Sequence, residues 1–282
     1  MFVIVGYIII LGCVIGGFIL AGGHVGVLIQ PVEILIIAGA AFGSFVSGNS
    51  LYNIKSSIAG ALGCLKGEQY TTDFYNQLLL SFNALAQKAR KEGMLALEAV
   101  VENPDSSNVF GQKILADHHL MEFITDNLRL VITGVDIHQF EDMMDLAIEV
   151  HHKEGHAPIA AVQRLGDGMP AFGIVAAVMG VVHTMESVGI PPAELGKLIA
   201  AALVGTFLGI LLSYGFVGPV ASVMEDRLDK GSNAYKCAMK GLLNVAKGQS
   251  PMMVVEFMRS SIASEVRPSF SEVDEMLKAN KG

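Results

Sequence analysis

The first 32 residues contain no Asp, Glu, Lys or Arg. Three later runs share that property: 21 uncharged residues between Glu33 and Lys55, 18 between Asp167 and Glu186, and 27 between Lys197 and Glu225. Few structures accommodate such runs. In hydrocarbon the backbone amides find no water, so a crossing segment closes its own hydrogen bonds as a helix. About 20 mostly apolar residues suffice for one crossing. The pattern predicts an all-α integral membrane protein with transmembrane helices at about 2–21, 34–54, 168–185 and 199–222, the last long enough to tilt. The first run exceeds a signal-peptide core and no Lys or Arg precedes it, so it reads as a retained span. Composition agrees, with 16% charged residues against about 25% in soluble domains.

Orientation follows from Lys and Arg, which accumulate on the cytoplasmic side. Nine lie within 55–164 and nine after residue 224, while the segment 186–198 holds only Lys197 and residues 22–32 hold none. The long loop and both termini are therefore expected in the cytoplasm, with the two short connections outside. The expected organisation is spans one and two in 1–54, a cytoplasmic loop at 55–167, spans three and four in 168–224, and cytoplasmic helices at 225–282. Apolar residues recur at helical spacing at Leu78, Phe82 and Leu85, at Leu120, Ile124, Leu128 and Val131, at Phe140, Met143, Met144, Ala147 and Ile148, and at Tyr235, Met239, Leu242 and Leu243. These stripes predict a helical cytoplasmic bundle built from loop and tail. Asn103-Pro104-Asp105 predicts a turn, and Gly166-Asp167-Gly168 a turn and helix cap ahead of span three.

Several classes of function are disfavoured. A net charge of −8 gives no basic face for nucleic acid. Cys13, Cys64 and Cys237 are far apart and odd in number, which argues against a disulfide framework. There is no P-loop and no GxSxG. His152 and His156 share a helix face near His151 and Glu154 but lack an HExxH frame, so a polar helix end is preferred to a metal site. No catalytic residue, metal or cofactor is expected.

The spans offer almost nothing ionisable. His183 lies near the outer end of span three, and Glu33 follows Pro31 at the start of span two, where a helix N-terminus suits a carboxylate. Ion-driven membrane machines need a group that binds and releases the ion at membrane depth. Either this chain moves no ion, or a partner brings the carboxylate. Pro170 opens span three and Pro219 closes span four. Thr206, inside Gly205-Thr206-Phe207-Leu208-Gly209, either faces a lumen or bonds its own helix. GxxxG spacing at Gly12/Gly16, Gly39/Gly43 and Gly205/Gly209 permits close helix approach, within the chain or between subunits.

The run Pro170-Ala171-Phe172-Gly173-Ile174-Val175-Ala176-Ala177-Val178-Met179-Gly180-Val181-Val182-His183 closely resembles the third span of the MotA family of flagellar motor stator subunits. Further blocks agree in order: Gly22-Gly23 with Gln30-Pro31-Val32-Glu33, Ile37 to Ala40, Gly93-Met94 through Glu98 to Glu102-Asn103-Pro104, Pro192 to Gly196, Val204 to Leu211, and Arg267-Pro268-Ser269-Phe270. The resemblance covers almost the whole chain. It implies a homopentameric ring in the inner membrane around a MotB-like single-span partner, which supplies the ion-binding Asp. Ion flow would drive the ring against the rotor's switch complex. By position, Arg90 and Glu98 match the family's rotor-contacting charges, with Lys88 and Lys91 beside them, and Pro170 and Pro219 match its two coupling prolines. Ala177 stands where sodium-driven relatives carry a hydroxyl, which implies proton coupling. An alternative within the wider family is an energiser of an outer-membrane process, like the ExbB and TolQ proteins. A self-contained transporter would carry its own intramembrane binding residues, and none is evident.

Overall fold

The computed structural model describes residues 2–186, Gly189 and 191–280, which are helices and their connections with no strand among them. In chain order the α-helices are α1 Phe2–Leu20, α2 Pro31–Ser47, α3 Leu51–Gly63, α4 Thr72–Glu92, α5 Glu98–Glu102, α6 Gln112–Leu115, α7 His118–Thr133, α8 Ile137–Glu186, α9 Pro192–Ile210, α10 Gly218–Ala246, α11 Pro251–Ser261 and α12 Phe270–Ala279. Short 3₁₀ turns occupy Val25–Leu28 and Met94–Leu97, and a π-helical segment, Leu211–Val217, joins α9 to α10. Among the described residues, four stretches are long and apolar enough to cross a membrane: Phe2–Leu20, Val25–Ser47, Ile137–Glu186 and Pro192–Ala246.

Some expectations from sequence change. The second span was expected to reach residue 54, but α2 stops at Ser47. Asn49 Nδ2 donates to the Phe45 carbonyl at 2.8 Å, and Ser50 Oγ accepts from the Asn53 amide at 3.2 Å. The first contact satisfies an orphan carbonyl at a helix end and the second caps a new helix, α3. The turn expected at Gly166-Asp167-Gly168 is helix instead, because α8 runs through it, so Pro170 sits in a helix interior and not in a first turn. Proline there removes one backbone bond and crowds the carbonyl four residues back. Apolar surroundings give the backbone no better partner than its own helix.

The chain divides into two compact units, Met1–Gly67 with Glu154–Arg227, and Glu68–Lys153 with Leu228–Gly282. In the first, Ile37, Ala41, Met169, Ala176, Val204 and Leu208 form a small core. The Arg227 guanidinium donates to the carbonyls of Gly63 at 2.6 Å and Lys66 at 2.5 Å, closing the C-terminal end of α3 with a cation.

The second unit has the larger core. Phe74, Leu78, Leu79, Phe82 and Leu85 of α4 are fully buried, with Leu120, Ile124 and Leu128 of α7, Phe140 and Met144, Leu242 of α10, and Val254, Val255 and Met258 of α11. Each such side chain contributes roughly 1.5–3 kcal/mol on leaving water. Met143 and Ala147 were read into the same stripe but are exposed. The helical period puts 140, 144 and 148 on one line and 143 and 147 beside it. The buried Asp117 carboxylate caps α7 by accepting from the Leu120 amide at 3.2 Å, and it also accepts from Gln69 Nε2 at 2.9 Å and the Tyr70 hydroxyl at 3.1 Å. Burial first, and the adjacent carboxylate second, push the Tyr70 phenol well above its ordinary pKa. Asn103-Pro104-Asp105 forms the expected turn. The block at 267–270 is structural: Arg267 Nε donates to the Ile262 carbonyl at 2.8 Å, and Ser269 and Glu272 form a capping box opening α12.

Candidate functional site

The backbones of α8 and α9 approach each other through glycines. A Cβ at Gly209 would stand 2.7 Å from the Met169 carbonyl oxygen and 2.9 Å from the Gly173 Cα. One at Gly173 would meet the Gly205 carbonyl oxygen at 2.9 Å, and one at Gly180 would meet the Ala202 Cβ at 2.8 Å. The Gly205/Gly209 spacing therefore serves packing within the chain. At Gly12, Gly16, Gly39 and Gly43, by contrast, an added Cβ meets nothing within 4 Å.

This seam places the expected channel residues. The Ala177 amide nitrogen lies 3.2 Å from where a Cβ on Gly205 would be, so Ala177 and Thr206 stand at one level on neighbouring helices. Both are half-buried, and the Thr206 hydroxyl makes no hydrogen bond among the described residues. Thr184, by comparison, donates to its own helix, at the Gly180 carbonyl. Pro170 follows Met169, whose carbonyl faces Gly209, so it lies farther along the same seam. The stretches 168–185 and 198–224 contain no Asp, Glu, Lys or Arg. What they present is apolar surface, backbone, a few hydroxyls and the His183 imidazole, with no carboxylate to take up an ion. Glu33 sits in the first turn of α2 as expected, and its Oε2 is buried without a hydrogen-bond partner among the described residues. His183 lies 4.0 Å from Glu186 near the end of α8.

Pro219 is the second residue of α10, immediately after the π-helical Leu211–Val217. A proline cannot donate to the carbonyl four residues earlier, and its ring crowds that carbonyl. The wider π turn accommodates both effects. The seam continues past it: a Cβ on Gly166 would meet Val217 Cγ1 at 3.1 Å and the Gly218 nitrogen at 3.9 Å. Tyr7 of α1 secures the segment: its hydroxyl donates to the Phe216 carbonyl at 2.8 Å and its ring lies 4.8 Å from that of Phe216.

Arg90 and Glu98 belong to the other unit. Arg90 occupies the last turn of α4 and Glu98 the first turn of α5, so each charge has the sign its helix end favours. Between them Gly93 adopts φ +87°, which favours glycine, and the Met94–Leu97 turn follows. Both side chains are exposed and form no ion pair among the described residues. Lys91 is exposed and Lys88 half-buried. Leu95, 72% exposed, stands between the two charges. Sequence reasoning missed it, because Met94, Leu95, Ala96 and Leu97 look alike until burial separates Leu97 from Leu95. It also missed Tyr7, whose partner is more than 200 residues away and leaves no local pattern.

The histidines do not assemble a metal centre. No group of three His, Cys, Asp or Glu among the described residues is disposed to hold one. His152 Nδ1 lies 3.0 Å from Ser232 Oγ, and His151 stacks on Tyr235.

A profile of the motility protein A N-terminal region matches residues 4–93, and one of the MotA/TolQ/ExbB proton channel family matches residues 115–237. Motility protein A of Salmonella typhimurium is 43% identical over 282 residues, covering 99% of this chain and 96% of its own. That of Escherichia coli is 44% identical over 284 residues, covering 100% and 96%. The flagellar MotAB stator complex of Bacillus subtilis contains a chain of the same fold, with TM-score 0.79 and 25% identity over 96% of this chain and 100% of that one. The chain belongs to the motility protein A family, with a MotA/TolQ/ExbB proton channel region at its centre.

Proposed function

We propose that the chain is the ring-forming stator subunit of a bacterial flagellar motor, working with a MotB-like single-span partner in the inner membrane. The observation that carries this reading is full-length similarity to motility protein A, joined to spans that lack any mid-depth carboxylate. The partner supplies the Asp that binds and releases the ion. This chain supplies the wall and the lever. No covalent chemistry is needed: each proton crossing about 100 mV releases about 2.3 kcal/mol. The match of residues 4–93 to the motility protein A N-terminal profile favours a motor stator over an ExbB- or TolQ-like energiser.

In this reading the chain self-associates as a pentamer, with both termini, the long loop and the tail in the cytoplasm. The coupled ion is the proton. Sodium needs several oxygens in place of its water shell, and Ala177 offers none where it meets α9. Thr206, at the same level, has its hydroxyl available to the lumen. Pro170 and Pro219 interrupt the backbone ladders of the two lining helices and give motion a defined place to occur. Arg90 and Glu98 engage complementary charges on the rotor repeatedly without holding it, since exposed pairs are individually weak. Leu95 adds an apolar contact between them.

The test is genetic. The gene is deleted and restored as wild type, Arg90→Glu or Glu98→Lys, and swimming and filaments are scored. Paralysed cells with intact filaments, rescued by wild type and poorly by either reversal, are expected. Normal swimming in a deletion strain without a second stator would overturn the reading.

A further inference from the structure

The first unit contains a cavity of about 310 Å³ to which each of its membrane-length helices contributes. Tyr7, Phe42, Phe45, Ile58, Phe216 and Val220 form most of its wall. The volume is that of a small ligand site. Its polar atoms are already engaged: the Tyr7 hydroxyl donates to the Phe216 carbonyl at 2.8 Å, and Ser57 Oγ donates to the Pro158 carbonyl at 3.1 Å. An occupant therefore finds no hydrogen-bonding handle inside and is held by apolar contact alone. Phe42 and Ile58 are 56% and 49% exposed, so the cavity opens beside an exposed apolar surface.

Two exposed cations and one exposed carboxylate lie beside residues of the lining. Lys55 is exposed and lies three residues before Ile58, on the same face of α3. Arg164 is exposed beside Leu165 in the cavity wall and donates to Asn49 Oδ1 at 3.2 Å. The nearest carboxylate along α8, Asp167, accepts from Gln163 Nε2 at 3.2 Å. An apolar cavity beside two exposed cations suits an amphiphile with an acyl chain and an anionic head, and an anionic phospholipid is the one a bilayer supplies. Basic residues at a membrane surface attract such headgroups.

We propose that this cavity holds an acyl chain of an anionic phospholipid whose headgroup lies against Lys55 and Arg164. The chain would touch Tyr7 and Phe216, the pair that secures the π turn before Pro219. Bound lipid is thereby part of the wall at the π-helical segment Leu211–Val217. The inference goes beyond torque generation and needs only that the protein sits in a bilayer, so it and the stator reading fail separately.

The test is native mass spectrometry of the full chain, purified with its partner in mild detergent from membranes containing phosphatidylglycerol and phosphatidylethanolamine. Wild type should retain phospholipid, enriched in phosphatidylglycerol. Ala61→Phe, which fills the cavity from α3, should lose it, whereas Leu62→Phe, on the exposed side of the same helix, should keep it. Ala61→Leu fills less space and should lose part, which carries the test if the Phe variant does not fold. Lys55→Glu combined with Arg164→Gln should retain lipid but lose the preference for phosphatidylglycerol. A wild type that retains no lipid, an Ala61→Leu variant that retains as much as wild type, or a charge variant with unchanged preference would overturn the proposal.

Discussion

Gly209→Ala tests whether the seam between α8 and α9 holds the first unit together. The new methyl would stand 2.7 Å from the Met169 carbonyl oxygen and 2.9 Å from the Gly173 Cα. Both neighbours are backbone, so no side chain can swing aside and the helices must separate. Overpacking of this kind costs about 1–3 kcal/mol, and an immovable backbone contact belongs at the top of that range. Alanine recovers about 1 kcal/mol of helix propensity over glycine. The expected net loss is about 2 kcal/mol. Gly43→Ala has the same propensity gain and meets nothing within 4 Å, so it should be neutral or up to about 1 kcal/mol more stable. The assay is equilibrium unfolding of the purified chain in mixed micelles, titrated with a denaturing detergent. If Gly209→Ala were as stable as wild type, or if both substitutions had the same effect, the close approach would not be a stabilising contact.

Tyr7→Phe removes the bond to the Phe216 carbonyl while leaving the ring, and should cost about 0.6 kcal/mol, the average for hydrogen bonds between membrane helices, and no more than about 1.7 kcal/mol, in the same unfolding assay. Pro219→Ala restores a backbone donor and lets the π turn relax toward α. Swimming should fall while the protein still accumulates in the membrane, as immunoblots of membrane fractions would register. In the second unit, Arg259 donates to both Glu256 oxygens, at 2.8 and 2.6 Å, and holds that carboxyl below its ordinary range. A depressed carboxylate contributes stability above its unfolded pKa of about 4.3 and loses it as pH falls through the folded value. Thermal melts between pH 7 and pH 3 should therefore show Glu256→Gln less stable than wild type at neutral pH, by up to about 1 kcal/mol. The two should converge in acid.

The sequence shows which stretches suit a membrane, because a charge-free run is a property of consecutive residues. The amphipathic stripes are equally local, and Phe82, Leu85, Ile124 and Phe140 are buried as their spacing predicts. What sequence could not show is pairwise. Gly12/Gly16, Gly39/Gly43 and Gly205/Gly209 have identical spacing, yet of these only the last pair meets another backbone within the chain. Spacing defines a face and says nothing of what opposes it. Gly166-Asp167-Gly168 has turn composition but lies within α8, where surroundings outweigh local preference. The π turn was hidden for a related reason. Pro219 announces a disturbance, but the residues packed against that segment, Tyr7 and Gly166, are remote in sequence. Arg90 and Glu98 emerged through family resemblance, since exposed charges are common on any helix.

The second unit is assembled from two separated stretches of chain, Glu68–Lys153 and Leu228–Gly282. That division sets an order of events during synthesis. Phe74, Phe82 and Leu85 leave the ribosome early, but Ala238, Leu242, Val255 and Met258, which complete their core, come after the last two apolar helices. At bacterial elongation rates the interval is on the order of ten seconds. For that time the cell holds a half-made, strongly apolar helical layer that only the final fifth of the polypeptide can cover. Truncation near the C-terminus therefore removes the closing half of a core built from the first half of the chain, and the nascent protein's greatest exposure to aggregation and proteolysis falls before its last residues are made.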